Sequence, residues 1–303
     1  MKRIAASVLL LTLLSMTLAI GLTNAEQTLI RIRINADGSI DPASAPIRRS
    51  GDVYTFADNI YGQIVVDRDA IVIDGAGYAL EGNYNGTRTD SWVVGQGADQ
   101  GYEDTELPWT IGIDLANENR CNLTVKNLNI KNFYIGIYVW TANNLITDCA
   151  VSDNIVGILL SGDSNNIINN YIANNEEGIF FGVNNPGDEP LNIVLTHNSF
   201  IENDVHFSGC FCEDYNTTEA VHTWDDGKEG NYWCDYNGTD QNSDGIGDVP
   251  YVIDVQNKDR YPLMQMAATP PIAPQNLPVE ALVIALVLPI IFAVAAVAYK
   301  KKK

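Results

Sequence analysis

Residues 122–181 read NLTVKNLNIKNFYIGIYVWTANNLITDCAVSDNIVGILLSGDSNNIINNYIANNEEGIFF, and three pieces of this stretch carry the same order of residue types. Their glycines, Gly136, Gly157 and Gly178, stand 21 residues apart, and a related piece upstream, YEDTELPWTIGIDL, places Gly112 24 residues before the first. A repeat of about 20 to 25 residues marks a solenoid, in which each unit buries its apolar face only by stacking on the next.

Aligned on those glycines, further positions form columns of one kind. Val125, Ile146, Ile167 and Leu195 make one column; Ile130, Val151, Ile172 and Phe200 a second; Ile113, Ile137, Ile158, Ile179 and Phe207 a third. β-Branched residues dominate, and within each short run the apolar positions fall close to period two, which selects strand over helix. Asn-rich pairs separate the runs: Asn143-Asn144, Asn165-Asn166 and Asn174-Asn175. Asn tolerates a left-handed backbone and bonds to its own turn, so it suits a corner that recurs at every level. Three short strands per turn, stacked level on level, predict an all-β fold: a right-handed parallel β-helix. Residues 183–189 read as a loop inserted after Gly178, which leaves His206 at the position of the glycine in the next coil. Six or seven coils, each advancing roughly 4.8 Å, give a rod about 30 Å long.

The ends of the chain carry different signals. Lys2 and Arg3 precede an apolar run from Ile4 to Leu22, and residues 1–25 read as a secretory signal peptide. Ala281 to Tyr299 is apolar over 19 residues and is followed at once by Lys300 to Lys303. That length nearly matches the ~30 Å hydrocarbon core, so a C-terminal transmembrane helix is expected, with its basic tail in the cytoplasm and the body outside. The expected organisation is therefore a signal peptide (1–25), an N-terminal cap region (26–63), the β-helix (64–208), a C-terminal cap (209–266), a Pro-rich tether (267–280), the span (281–299) and the tail (300–303).

Glu280 apart, 37 acidic and 12 basic residues lie between leader and span. Such a surface repels nucleic acid, which is excluded as a partner, and attracts cations. Four N-x-S/T sequons, at Asn85, Asn122, Asn216 and Asn237, are open to glycosylation in a host with the machinery.

In the cap, Asp240, Asn242, Asp244 and Asp248 put oxygen side chains at positions 1, 3, 5 and 9 of a calcium loop. Gly245 supplies the turn and Ile246 a carbonyl; the bidentate Glu of an EF-hand is missing, so a Ca²⁺ site of modest affinity is expected. Cys121, Cys149, Cys210, Cys212 and Cys234 are the five cysteines. In an oxidising compartment a disulfide from Cys234 to Cys212 or Cys210 would pin the cap to the last coil. The competing reading is a soft-metal site of His206, Cys210, Cys212, His222 and Cys234. Cys149 aligns with Leu128, which suits a small buried hydrophobe.

The cap segment GNYWCDYNGTDQNSDGIGDVPYVID (residues 230–254), together with the Asn/Ile/Gly coils, resembles the NosD-like, CASH-type β-helix family of surface and periplasmic proteins. The resemblance covers roughly residues 64–264. It implies fold and location, together with two functional expectations: carbohydrate binding or hydrolysis, and an accessory role in copper maturation.

For catalysis the residues offer little. Polysaccharide lyases of this fold use a Lys or Arg base, and between Arg88 and Lys228 the chain holds only Arg120, Lys126 and Lys131 among many acids. Inverting glycosidases need two carboxylates about 6.5 to 9.5 Å apart, a spacing that acids in alternate coils meet by accident. Tyr134, Tyr138 and Trp140 crowd one coil and could stack on sugar rings. The expected function is that of a membrane-anchored extracellular β-helix, acting without catalysis as a structural or adhesive rod or as a carbohydrate-binding module, with glycans or surface proteins as partners. The alternatives are a polysaccharide lyase or hydrolase and a copper-maturation accessory.

Overall fold

The computed structural model describes residues 29–84, 111–115, 121–182, 190–209 and 220–273. The signal peptide and the expected span at 281–299 lie outside the described residues. Among those described, no helix is long and apolar enough to cross a membrane.

The chain winds into a parallel β-helix with three faces. The first face stacks Ile30–Ile34, Ile60–Val66, Ile111–Leu115, Ile135–Val139, Val156–Leu160, Glu177–Phe181 and Val205–Gly209, all in parallel. The second holds Val53–Phe56, Val72–Asp74, Thr124–Lys126, Leu145–Thr147, Asn166–Ile168 and Val194–Thr196. The third runs from Ala79–Glu81 through Asn129–Lys131, Ala150–Ser152, Tyr171–Ala173 and Ser199–Ile201 to Tyr232–Trp233. The strand Ile60–Val66 belongs to two faces. It turns the corner at Gly62, whose φ is 150° and where a Cβ would come within 1.8 Å of the Ile30 carbonyl oxygen.

The three columns expected from the sequence pair residue for residue. Ile146 faces Val125 and Ile167, and Ile167 faces Leu195. Val151 lies between Ile130 and Ile172, and Ile172 meets Phe200. Ile113, Ile137, Ile158, Ile179 and Phe207 form one ladder. These side chains fill a single core, and each fully buried one contributes on the order of 1.5–3 kcal/mol.

The corners repeat a two-residue device. The first residue is left-handed: Asn143, Asp153, Asn169 and Asn174 have φ between 54° and 60°. The next turns into the core. In the later coils that residue is Asn at all but Cys149 and Ile193, and its amide bonds from coil to coil. Asn154 Oδ1 accepts the Phe133 N–H, Asn175 Oδ1 the Asn154 N–H, and Asn203 Oδ1 the Asn175 N–H, at 2.9–3.0 Å. A second ladder runs Asn170, Asn198, Asn231 and ends on Asp259. A third links Asn144 to Asn165.

The coil extends past the boundaries expected at 64 and 208. It begins at Ile30, and Thr223 still bridges Val194 while Trp233 pairs with Phe200. The N-terminal extension lacks the Gly and Asn signature of the central repeats, and the C-terminal one keeps only the ladder amide of Asn231. The last level instead fills its core with Trp224 and Trp233, both nearly fully buried. Its rings continue as a stack, Phe200 on Trp233 at 4.3 Å and Trp233 on Tyr251 at 4.2 Å, which closes the end of the rod.

Candidate functional surfaces

The aromatic cluster sits on the outside of the first face. Tyr138 lies between Asp114 and Leu159 in register, half-buried, and Trp140 meets it edge-on at 5.9 Å. Tyr134 and Tyr138 pack against Ile155, Val156, Leu159 and Phe180, an apolar cluster separate from the core, which Tyr84 also joins. Leu159 and Phe180 occupy outward positions and are nevertheless buried. Burial, reinforced by the Asp114 carboxylate, pushes the Tyr138 hydroxyl well above the ordinary tyrosine range. The structure thus brings the three expected residues together, as a packed group with part of each ring exposed.

The sequence did not point to a concavity of about 550 Å³ at the corner between the third and first faces. Asp153, Glu176, Glu202 and Asp204 line it with Tyr84, whose hydroxyl reaches Glu176 Oε1 at 3.3 Å. Among the described residues its lining holds no Lys, Arg or His. The detectable signal was the left-handed corner column of Asn132, Asp153, Asn174 and Glu202, which sets one polar residue per level at the rim.

In the acidic loop the side chains bond to the loop's own backbone. Asp240 accepts the N–H groups of Asp244 and Gly245, Asp244 that of Ile246, and Asp248 that of Gln241. Gly245 takes the left-handed turn expected of it, with φ 89°. Ile246 is held by an antiparallel bridge to Leu263. Among the described residues no three His, Cys, Asp or Glu side chains form a group able to hold a metal ion.

Cys234 is exposed and free, and its expected partners Cys210 and Cys212 lie outside the described residues. Its sulfur accepts the Glu202 N–H at 3.2 Å and lies 3.5 Å from His206 Nε2. The tautomer of His206 follows from its other side. Asn203 Oδ1 is committed to the Asn175 N–H, so Asn203 Nδ2 faces His206 Nδ1 at 3.3 Å, and Nδ1 must be the acceptor. The proton then sits on Nε2, toward Cys234 and Asp235 Oδ1. A metal would need that nitrogen unprotonated. Burial also lowers the His206 pKa, against the raising effect of Asp235. His222 stands apart, its ring against Phe181 at 4.8 Å and its buried Nδ1 without a partner, and burial pulls its pKa down to about 4. Of the five soft-metal candidates, His206 and Cys234 thus come together, His222 does not join them, and Cys210 and Cys212 lie outside the described residues. Cys149 is wholly buried, as its alignment with Leu128 implied, and burial pushes its thiol up to about 12.

Residues 103–224 match the family model for a right handed beta helix region. The parallel ladders on either side of that window carry the same winding from Ile30 to Trp233. No curated protein and no solved structure gives a significant match to the chain.

Proposed function

We propose that this chain is a membrane-anchored, extracytoplasmic β-helix rod of the NosD-like, CASH-type kind, without catalytic activity of its own. The supporting observation is the interior. Three ladders of buried amides and three apolar columns lock the coils in register, so the molecule is built for stiffness. Carbohydrate binding is the second reading, favoured by the partly exposed rings of Tyr134, Tyr138 and Trp140 on one face. The loop at Asp240, Asn242, Asp244, Ile246 and Asp248 is proposed as a weak Ca²⁺ site that firms the cap.

The test is the full chain in lipid nanodiscs, presented to an array of polysaccharides and assayed at the same time for released reducing ends and unsaturated sugars. The rod reading expects no turnover. Retention of one glycan class, abolished by Trp140→Ala, would establish the second reading, and turnover of any polysaccharide would overturn both.

A further inference from the structure

Residues 267–273 do not leave the rod at its C-terminal end. Leu263 bridges Tyr232 at the last level. Ala268, 4 % exposed, then donates its N–H to Ser199 Oγ at 2.9 Å, one level back. The Pro271 carbonyl accepts from Asn129 Nδ2 at 3.1 Å, three levels further. At Gly77, in the second coil, a Cβ would come within 2.2 Å of the Ile272 carbonyl oxygen, and Ala273 packs against the core. The chain is a strap that runs back along the third face toward the level where Ile30 began.

This direction has a consequence for any span at 281–299. Seven residues separate Ala273 from Ala281, and fully extended they reach at most about 28 Å. Without the strap, the stretch from Leu263 would reach about 60 Å and permit any orientation of the rod. With it, the second coil is held close to the lipid headgroups. The C-terminal end, five levels of ~4.8 Å further on, could approach them only on a fully stretched tether.

Charge selects the same end independently. Residues 29–70 hold five Arg against six Asp, whereas the remaining described residues hold five basic side chains against nineteen acidic ones. Arg48 and Arg49 are exposed on the strand Ile47–Ser50, which forms the outermost edge of the second face at that end. An anionic lipid surface repels the acidic far end and tolerates the near-neutral one.

We infer that the strap turns the N-terminal coils toward the membrane, with the edge at Arg48 and Arg49 as the face apposed to anionic headgroups and the Tyr251 end outermost. The inference rests on the membrane-anchored reading above.

The test is energy transfer from a fluorophore to headgroup-labelled lipid. The full chain is reconstituted in phosphatidylcholine vesicles containing phosphatidylglycerol, with an azide-bearing amino acid introduced at Ser50 or Val255 and coupled to the dye, which leaves the cysteines untouched. Both positions are exposed, Val255 to 91 %. Flotation with the vesicles is measured first, and its failure overturns the anchored reading itself. Given flotation, transfer should be several-fold stronger from position 50 than from position 255. Equal or reversed transfer overturns the orientation. Ala268→Glu, which cannot keep a charge in that buried contact, should float equally and bring the two transfers together. Asn129→Ala, which removes the bond to Pro271 together with those to the Gly77 and Tyr78 carbonyls, should narrow the difference less and serves where Ala268→Glu fails to fold. A difference unchanged in a folded strap variant overturns the strap as its cause.

Discussion

The early and late coils build the same corner from opposite materials. After left-handed residues, the early coils turn Ile71, Leu123, Leu128 and Phe133 into the core, while the later ones, Cys149 and Ile193 apart, turn Asn144, Asn154, Asn165, Asn170, Asn175, Asn198 and Asn203, and Asn231 continues the series behind Gly230. All are buried. A leucine there contributes apolar area, on the order of 1.5–3 kcal/mol, without a directional partner in the neighbouring coils. An asparagine contributes less in net terms, about 0.5–1.5 kcal/mol per bond, but its partners are fixed groups of the adjacent coils. Asn175 receives the N–H and amide of Asn154 and gives its own protons to the Val151 carbonyl and to Asn203. The apolar corner contributes stability and the amide corner contributes register.

The strongest attack on this comparison ignores the corners. Ile158→Asp strikes the column both regions share, placing a charge between Ile137 and Ile179, and the expected outcome is loss of the fold at either end. A soluble variant with a cooperative melt would show that the columns do not carry the structure. Next comes Asn175→Leu, which makes a late corner resemble an early one. It orphans a buried N–H, an amide and a carbonyl at once and should cost about 3 kcal/mol or more in chemical denaturation. Leu128→Met, in an early corner, should cost less than about 1.5 kcal/mol. Equal losses would erase the distinction.

The last level adds a pH effect. His222 is neutral in the fold, with a pKa of about 4 against an ordinary value of 6.5. Its contribution is therefore present above pH 6.5 and is lost as pH falls from 6.5 through 4. Asp225, held low by Arg260 despite its burial, loses stability over an overlapping acid range, so the comparison must be with a variant. His222→Phe keeps the ring against Phe181 and removes the unpartnered Nδ1. It should match or exceed wild type at pH 7 and fall less steeply toward pH 4 in a series of thermal melts. A parallel decline would assign the acid sensitivity elsewhere.

The smallest effect concerns the acidic loop. Ca²⁺ must draw Asp240, Asp244 and Asp248 off the backbone N–H groups they now hold, so its net stabilisation should be of order 1 kcal/mol at tenfold excess over the dissociation constant. The measurement is the melting shift in Ca²⁺ minus that in Mg²⁺ at matched ionic strength, in wild type and Asp244→Ala. Equal shifts in both proteins would leave the loop as a turn alone.

How much of this was written in the chain depends on the range of the interaction. The columns were legible because each strand reports its own period-two pattern and the 21-residue spacing sets the register. The Asn pairs were half legible. Asn143 and Asn174 take the left-handed corner as composition suggested, but at Asn165-Asn166 that role falls to Ser164, and Asn165 is the buried amide. Nothing local tells the two roles apart, since the second exists only when the neighbouring coil supplies its partner. The early corners carried no signal because Leu123 and Phe133 look like any core residue. The acid-lined concavity draws on coils 21 to 28 residues apart, and the strap docks partly through backbone carbonyls, which leave no trace in side-chain identity.

One feature of the amides bears on synthesis. Every ladder points the same way: the oxygen that satisfies a corner N–H belongs to the following coil, from Phe133 and Asn154 up to Asn231, whose own N–H is met by Asp259. A ribosome delivers these coils in that same order. Each corner amide must therefore wait on water until the next turn of chain has emerged, and the carboxylate of Asp259, which also receives the Trp233 indole and the Tyr261 N–H, is the last to arrive. A nascent chain halted anywhere short of it exposes one fresh set of unmet donors at its growing tip, so the signal that the rod is unfinished is always displayed at the same place.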